Sequence, residues 1–162
     1  MLNSFWKGLV NIPFSVRFRV DGNSMFPFLQ HGESVLVVRN RSMWNVLQRG
    51  DVAVYERPTS DGGTSIKRVV GLPGEDIKIA GGSVYVDGRL LAEEYVLVGS
   101  EIETEMRESE WYNGPDEYFL LGDNRAYSTD SRDYGPVAGD SIKGRAWFRC
   151  WPPARWRPLG IR

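Results

Sequence analysis

Cysteine and histidine are almost missing from this 162-residue chain, which has one of each, Cys150 and His31. A single cysteine forms no internal disulfide, and a zinc site built from imidazole and thiolate ligands is excluded. A Ser-His-Asp triad would have to use His31, seven positions after Ser24 in the turn-like Gln30-His31-Gly32. That setting suits a solvent-exposed histidine better than a catalytic one. Lysine is scarce too: only Lys7, Lys67, Lys78 and Lys143 among 20 basic residues. No apolar run reaches the roughly 18 residues a spanning helix needs. The uncharged N-terminal stretch 8–16 is short and holds Pro13, and the small-residue cleavage site of a secretory leader is missing. Neither sign of charge dominates. The 20 basic residues face 21 acidic ones for a net charge of −1, so bulk electrostatics gives no reason to expect a nucleic-acid partner.

What is present is a globular balance, 41% hydrophobic and 25% charged, in a length that suits one domain with short tails. That length buries a core without covalent staples. Eighteen glycines and nine prolines point to short strands joined by turns. Residues 1–13 read as an amphipathic segment, with Leu2, Phe5, Trp6 and Leu9 on one face and Pro13 ending it. It either packs on the domain or lies in a membrane surface with Trp6 and Lys7 at the headgroups. Strand-like runs follow at 16–20, 34–38, 51–55, 64–70, 77–79, 84–86, 89–91, 118–121 and 142–148, with Asp87-Gly88 as a two-residue hairpin signal. The predicted fold is all-β, a small irregular barrel-like domain over 14–152, followed by a basic tail at 153–162.

Two charge blocks interrupt the pattern. Residues 93–110 carry seven glutamates against one arginine and read as a solvated loop. Residues 143–162 carry six basic residues and no acid, interleaved with Trp151 and Trp156. That mixture suits an anionic membrane surface as well as an ordinary positive flank.

The scarcity of lysine singles out Lys67, because lysine can lose its proton and arginine in practice cannot. In Ser65-Ile66-Lys67-Arg68-Val69-Val70, alternation puts Lys67 and Arg68 on opposite faces, so one cation must meet apolar neighbours. A desolvated Lys67 would have a lowered pKa and could act as general base, whereas at a strand edge it would snorkel to water. Ser24 lies in Asp21-Gly22-Asn23-Ser24-Met25-Phe26-Pro27, a turn able to expose a hydroxyl and aim backbone N–H groups at one point. The stretch Gly122-Asp123-Asn124-Arg125-Ala126-Tyr127-Ser128-Thr129-Asp130-Ser131-Arg132-Asp133-Tyr134-Gly135-Pro136 gathers hydroxyls, carboxylates and guanidiniums into one loop.

In this order the clusters resemble the type I signal peptidase family of serine–lysine proteases. Arg49-Gly50-Asp51-Val52, Lys67-Arg68-Val69-Val70-Gly71-Leu72-Pro73-Gly74 and Gly144-Arg145-Ala146 add to the match, which spans residues 20–152. The resemblance implies Ser24 as nucleophile, Lys67 as general base, and an oxyanion hole from the Ser24 N–H with the backbone at Gly22. It further implies that Ser128 hydrogen-bonds Lys67 and that Asp130 with Arg132 braces the loop. The implied substrate is a preprotein, bound as an added strand and cut after a small residue with another small residue two positions earlier. The implied enzyme uses no cofactor or metal and acts as a monomer, membrane-associated on the extracytoplasmic face. This sequence departs from the family by the missing membrane helix, by Phe28 in place of a common threonine, and by Ala126-Tyr127 in place of an acid–amide pair. Two other classes fit parts of the pattern. A repressor-type Ser–Lys autoprotease would need a DNA-binding domain, for which about 15 residues before the first strand leave no room. A non-catalytic peptide-binding β module would have no need of both Ser24 and Lys67.

Overall fold

A computed structural model describes residues 14–41, 46–60, 62–96 and 108–159. The predicted amphipathic segment at 1–13 lies outside them. The strands are β1 (Ser15–Arg19), β2 (Ser34–Val38), β3 (Val52–Glu56), β4 (Thr64–Gly71), β5 (Asp76–Ala80), β6 (Ser83–Val86), β7 (Arg89–Leu90), β8 (Ser109–Tyr112), β9 (Glu117–Leu121), β10 (Val137–Ala138), β11 (Ile142–Trp151) and β12 (Arg157–Pro158). One short helix, α1 (Ser131–Tyr134), interrupts the polar loop after β9. The fold is all-β. An antiparallel sheet ordered β1-β2-β11-β3-β4-β9-β10, with β12 added to β11, curls into a half-barrel. A second sheet is ordered β7-β6-β5-β8.

The central strands are apolar on both faces because both faces are covered. In β3, Val52 and Val54 join a cluster with Val20, Met25, Leu29 and Ile66. Ala53 and Tyr55 point the other way, to Val69, Leu120 and Val137. β4 pairs with β3 on one side, Ala53 opposite Lys67 and Val52 opposite Arg68, and with β9 on the other, Leu121 opposite Arg68. This double coverage changes the expectation that one of the two cations meets apolar surroundings. Both are buried, Lys67 at 4% exposure and Arg68 at 3%.

Three further readings differ from the structure. Residues 153–159 do not hang off as a tail. β12 pairs back onto β11, and Leu159 is buried in the first cluster with its N–H on the Trp147 carbonyl. Part of the charge of the acid-free stretch is met by acids from elsewhere in the fold: Lys143 pairs with Glu56, Arg145 with Asp51, and Arg149 and Arg155 share Glu33. The end of the acidic block runs into a strand, Ser109-Glu110-Trp111-Tyr112, and Glu108 and Glu110 both reach Lys78 on the neighbouring β5.

Candidate active site

Ser24 rides on the turn that follows β1. Met25 and Leu29, both fully buried, anchor this turn from beneath. The Leu29 N–H closes it on the Met25 carbonyl at 2.8 Å, leaving Ser24 half-buried at the rim. From the far side, the Asn124 N–H donates to the Ser24 carbonyl at 3.0 Å, and the Asn124 side chain donates to the Asn23 carbonyl at 3.1 Å. The nucleophile candidate is thus fixed by its own turn and by the loop after β9.

Lys67, projecting from β4, meets it. The Lys67 Nζ lies 2.9 Å from the Ser24 Oγ and also donates to the Ile66 carbonyl at 3.2 Å. No carboxylate is ion-paired with this amine among the described residues, so burial dominates its titration and pulls it from the usual lysine value to about 8. Asp130 and Asp123 oppose the shift, and Arg57 and Arg132 reinforce it. An amine that is neutral at mildly alkaline pH can reverse this hydrogen bond and accept the hydroxyl proton.

Gly122 permits the close approach of the two chain segments. A Cβ there would stand 2.2 Å from the Ser128 Oγ and 2.6 Å from the Ser24 carbonyl oxygen. The Gly122 N–H donates to Asp130 Oδ2 at 2.9 Å, and Asp130 in turn accepts from Arg132 Nε at 2.8 Å. Asp130 also caps α1 through the Arg132 N–H, while the Asp133 side chain accepts from the Asp130 N–H. Arg132 reaches back to the carbonyls of Arg125 and Ser128.

Two expected contacts are not formed. Ser128 makes no hydrogen bond to Lys67; its buried Oγ has no hydrogen-bond partner and packs against Gly122 instead. The Gly22 N–H, expected to face an oxyanion, donates to His31 Nδ1 at 3.1 Å. The reason is the closure of the β1–β2 connection. The Val20 N–H donates to the Glu33 carbonyl and the Gly32 N–H to the Val20 carbonyl, which folds His31 over Gly22, itself in the left-handed region at φ 76°. His31 is exposed as expected, and it also lies 3.3 Å from Asp21.

On the opposite face of β4, Arg68 makes a bidentate pair with Asp123 at 2.7 and 2.6 Å and donates to the Gly50 carbonyl at 2.9 Å. Its guanidinium also lies against the rings of Phe28 and Tyr95, 4.5 and 4.1 Å from their centroids. Sequence reading found both motifs but not this pairing. The one available signal was that an arginine beside the candidate base must share its burial. A groove of about 320 Å³ lies across β1, β2, β3 and the start of β4, away from Ser24 and Lys67, which do not line it. Val16, Phe18, Val37, Val54 and Thr64 line it, with Arg39 and Lys143 also contributing.

Residues 7–151 match the family model described as signal peptidase, peptidase S26. The chain is 34% identical to a probable signal peptidase I-1 of Synechocystis sp., over 87% of this chain and 74% of that one. It is 32% identical to signal peptidase I V of Bacillus subtilis, over 89% of this chain and 96% of that one. The crystal structure of a signal peptidase I from Enterococcus faecalis superposes with a TM-score of 0.54 at 30% identity, covering 61% of this chain and 95% of that chain.

Proposed function

Given that the chain belongs to the signal peptidase family, peptidase S26, a family of serine-type endopeptidases, we propose that it removes leader segments from preproteins with Ser24 as nucleophile and Lys67 as general base. The 2.9 Å contact between the Lys67 amine and the Ser24 hydroxyl carries this reading. Neutral Lys67 takes the Ser24 proton as the hydroxyl oxygen attacks the scissile carbonyl. The tetrahedral intermediate collapses to an acyl-enzyme, with Lys67 returning its proton to the leaving amine. Lys67 then activates the water that releases the acid product. Asp130 and Arg132 brace the loop that holds the Ser24 carbonyl. The substrate lies extended along the free edge of β1. It is cut after a small residue with another small residue two positions before.

The pH profile tests the assignment. Below the Lys67 pKa of about 8, the amine is charged and cannot accept a proton. The kcat/KM for a precursor carrying an Ala-X-Ala site should therefore fall about tenfold per pH unit below 8 and level off above it. A flat profile from pH 6 to 9 with an intact fold would falsify the neutral-amine mechanism.

Among the described residues, no helix is long and apolar enough to cross a membrane. We propose that the chain meets its substrate at a membrane surface on the extracytoplasmic side. Trp151 and Trp156, 50% and 60% exposed, flank the exit of β11 near Arg155 and Arg157. Co-sedimentation with vesicles containing anionic lipid is expected at low salt, weaker in high salt, and reduced at least several-fold by joint Trp151→Ala and Trp156→Ala replacement. Equal pelleting by the wild type and this double variant would rule out the tryptophan contact.

A further inference from the structure

The connection that follows β7 leaves the second sheet and lays one side chain, Glu93, on the active-site loop and another, Tyr95, on Arg68 of β4. Glu93, whose side chain is 9% exposed, pairs with Arg125 at 2.5 Å. It also accepts the Tyr95 hydroxyl at 2.8 Å. The Tyr95 ring lies against the Arg68 guanidinium, 4.1 Å from its centroid, as does the Phe28 ring at 4.5 Å. Burial beside Glu93 pushes the Tyr95 phenol well above the usual tyrosine range, so its proton stays in place to make that bond.

Each of these contacts ends one step from the proposed catalytic groups. Arg68 follows Lys67 along β4. Arg125, held by Glu93, donates from Nε to the Gly122 carbonyl at 3.1 Å, and its own carbonyl accepts from Arg132. Between Gly122 and Arg125 sits Asn124, whose N–H holds the Ser24 carbonyl. Phe28, beside Arg68, lies in the same turn as Ser24. The solvated loop expected for the acidic block therefore opens with two residues, Glu93 and Tyr95, that are only partly exposed and turn their side chains onto the protein.

Building on the proteolytic reading above, we propose that Glu93 and Tyr95 are positioning residues. Together they form a strap from the second sheet that sets the Gly122–Arg125 loop, and through it the Ser24 turn, in register with Lys67. They touch neither substrate nor reacting atoms. Their contribution is the fixed placement of the loop, where a displacement of even part of an ångström slows the reaction without weakening binding.

The test compares Glu93→Gln, which keeps the shape and removes the charge, with Tyr95→Leu, which removes the ring, and Tyr95→Phe, which keeps the ring over Arg68. All are assayed well below their melting temperatures. Glu93→Gln and Tyr95→Leu should each lower kcat roughly tenfold with KM within twofold of wild type. Tyr95→Phe should keep most of the activity. The amide resonance of Asn124 should move in Glu93→Gln, a readout that needs no turnover and stands even if Tyr95→Leu does not fold. Unchanged kcat in folded Glu93→Gln, a change confined to KM, or an unmoved Asn124 amide would each overturn the strap. A wild-type chain that cleaves no precursor, yet shows the Asn124 shift in Glu93→Gln, would defeat the proteolytic reading and leave the mechanical coupling standing.

Discussion

Lys67→Met should lower kcat/KM for precursor cleavage by about 10⁴-fold or more, and at the same time make the folded protein more stable at pH 7. The rate loss follows from removing the only amine hydrogen-bonded to the Ser24 hydroxyl among the described residues. The gain follows from linkage. Folding lowers the Lys67 pKa from its ordinary value of 10.5 to about 8, so the folded state binds fewer protons than the unfolded chain between those values. Wild-type stability therefore rises as pH climbs from 8 to 10.5, by about 3 kcal/mol, and the corresponding cost is fully present below pH 8. Methionine has a similar length and no charge, so it avoids that cost. Ser24→Ala should match the rate loss without the stabilisation. Urea unfolding at pH 7 and pH 10, set beside precursor cleavage, checks both halves. Retained cleavage in either variant would remove the dyad. A Lys67→Met chain no more stable than wild type at pH 7 would remove the desolvation argument.

Asp123→Ala should be the most damaging single change to stability, costing about 3–5 kcal/mol. Arg68 is 3% exposed and Asp123 1%, so deleting the carboxylate leaves a guanidinium that cannot reach water. Gly50 offers one carbonyl, and Phe28 and Tyr95 offer ring faces, but none supplies a countercharge. Removing both charges is different. Arg68→Met with Asp123→Leu should recover most of the loss, because the burial penalty of both ions disappears with their attraction. Chemical denaturation of the two variants decides the matter. A cost below about 1 kcal/mol for Asp123→Ala would mean that the site is wetter than its geometry indicates.

The sheet was largely legible because its central strands announce themselves. Residues 35–38 form a continuous apolar run, and Asp87-Gly88 makes a hairpin with φ positive at both positions, as that dipeptide predicts. β8 was hidden because its outward positions are Glu110 and Tyr112, so the strand period sat inside a run of acid and read as solvent-facing loop. β12 was hidden by proline and arginine around the single anchoring residue Leu159. At the site, Lys67 stood out by rarity, and Ser24 by the turn and by family resemblance. The Arg68–Asp123 pair joins residues 55 apart, and nothing local encodes which carboxylate of a polar loop will turn inward. The His31–Gly22 bond was equally out of reach, since it depends on how the β1–β2 connection closes.

Because Lys67 and Arg68 are neighbours on a strand enclosed on both sides, the chemistry and the threading of that strand are not independent. A slip of β4 by one position against β3 would turn every one of its side chains to the opposite face. Shifted one way, a permanently charged guanidinium would take the place of the amine beside the serine; shifted the other way, an ammonium would be left to answer a buried carboxylate now held by a two-pronged donor. Such a molecule would be inert and poorly held together for the same reason. Register and reactivity thus depend on the same two adjacent residues, a coupling that a single basic residue at this place would not provide.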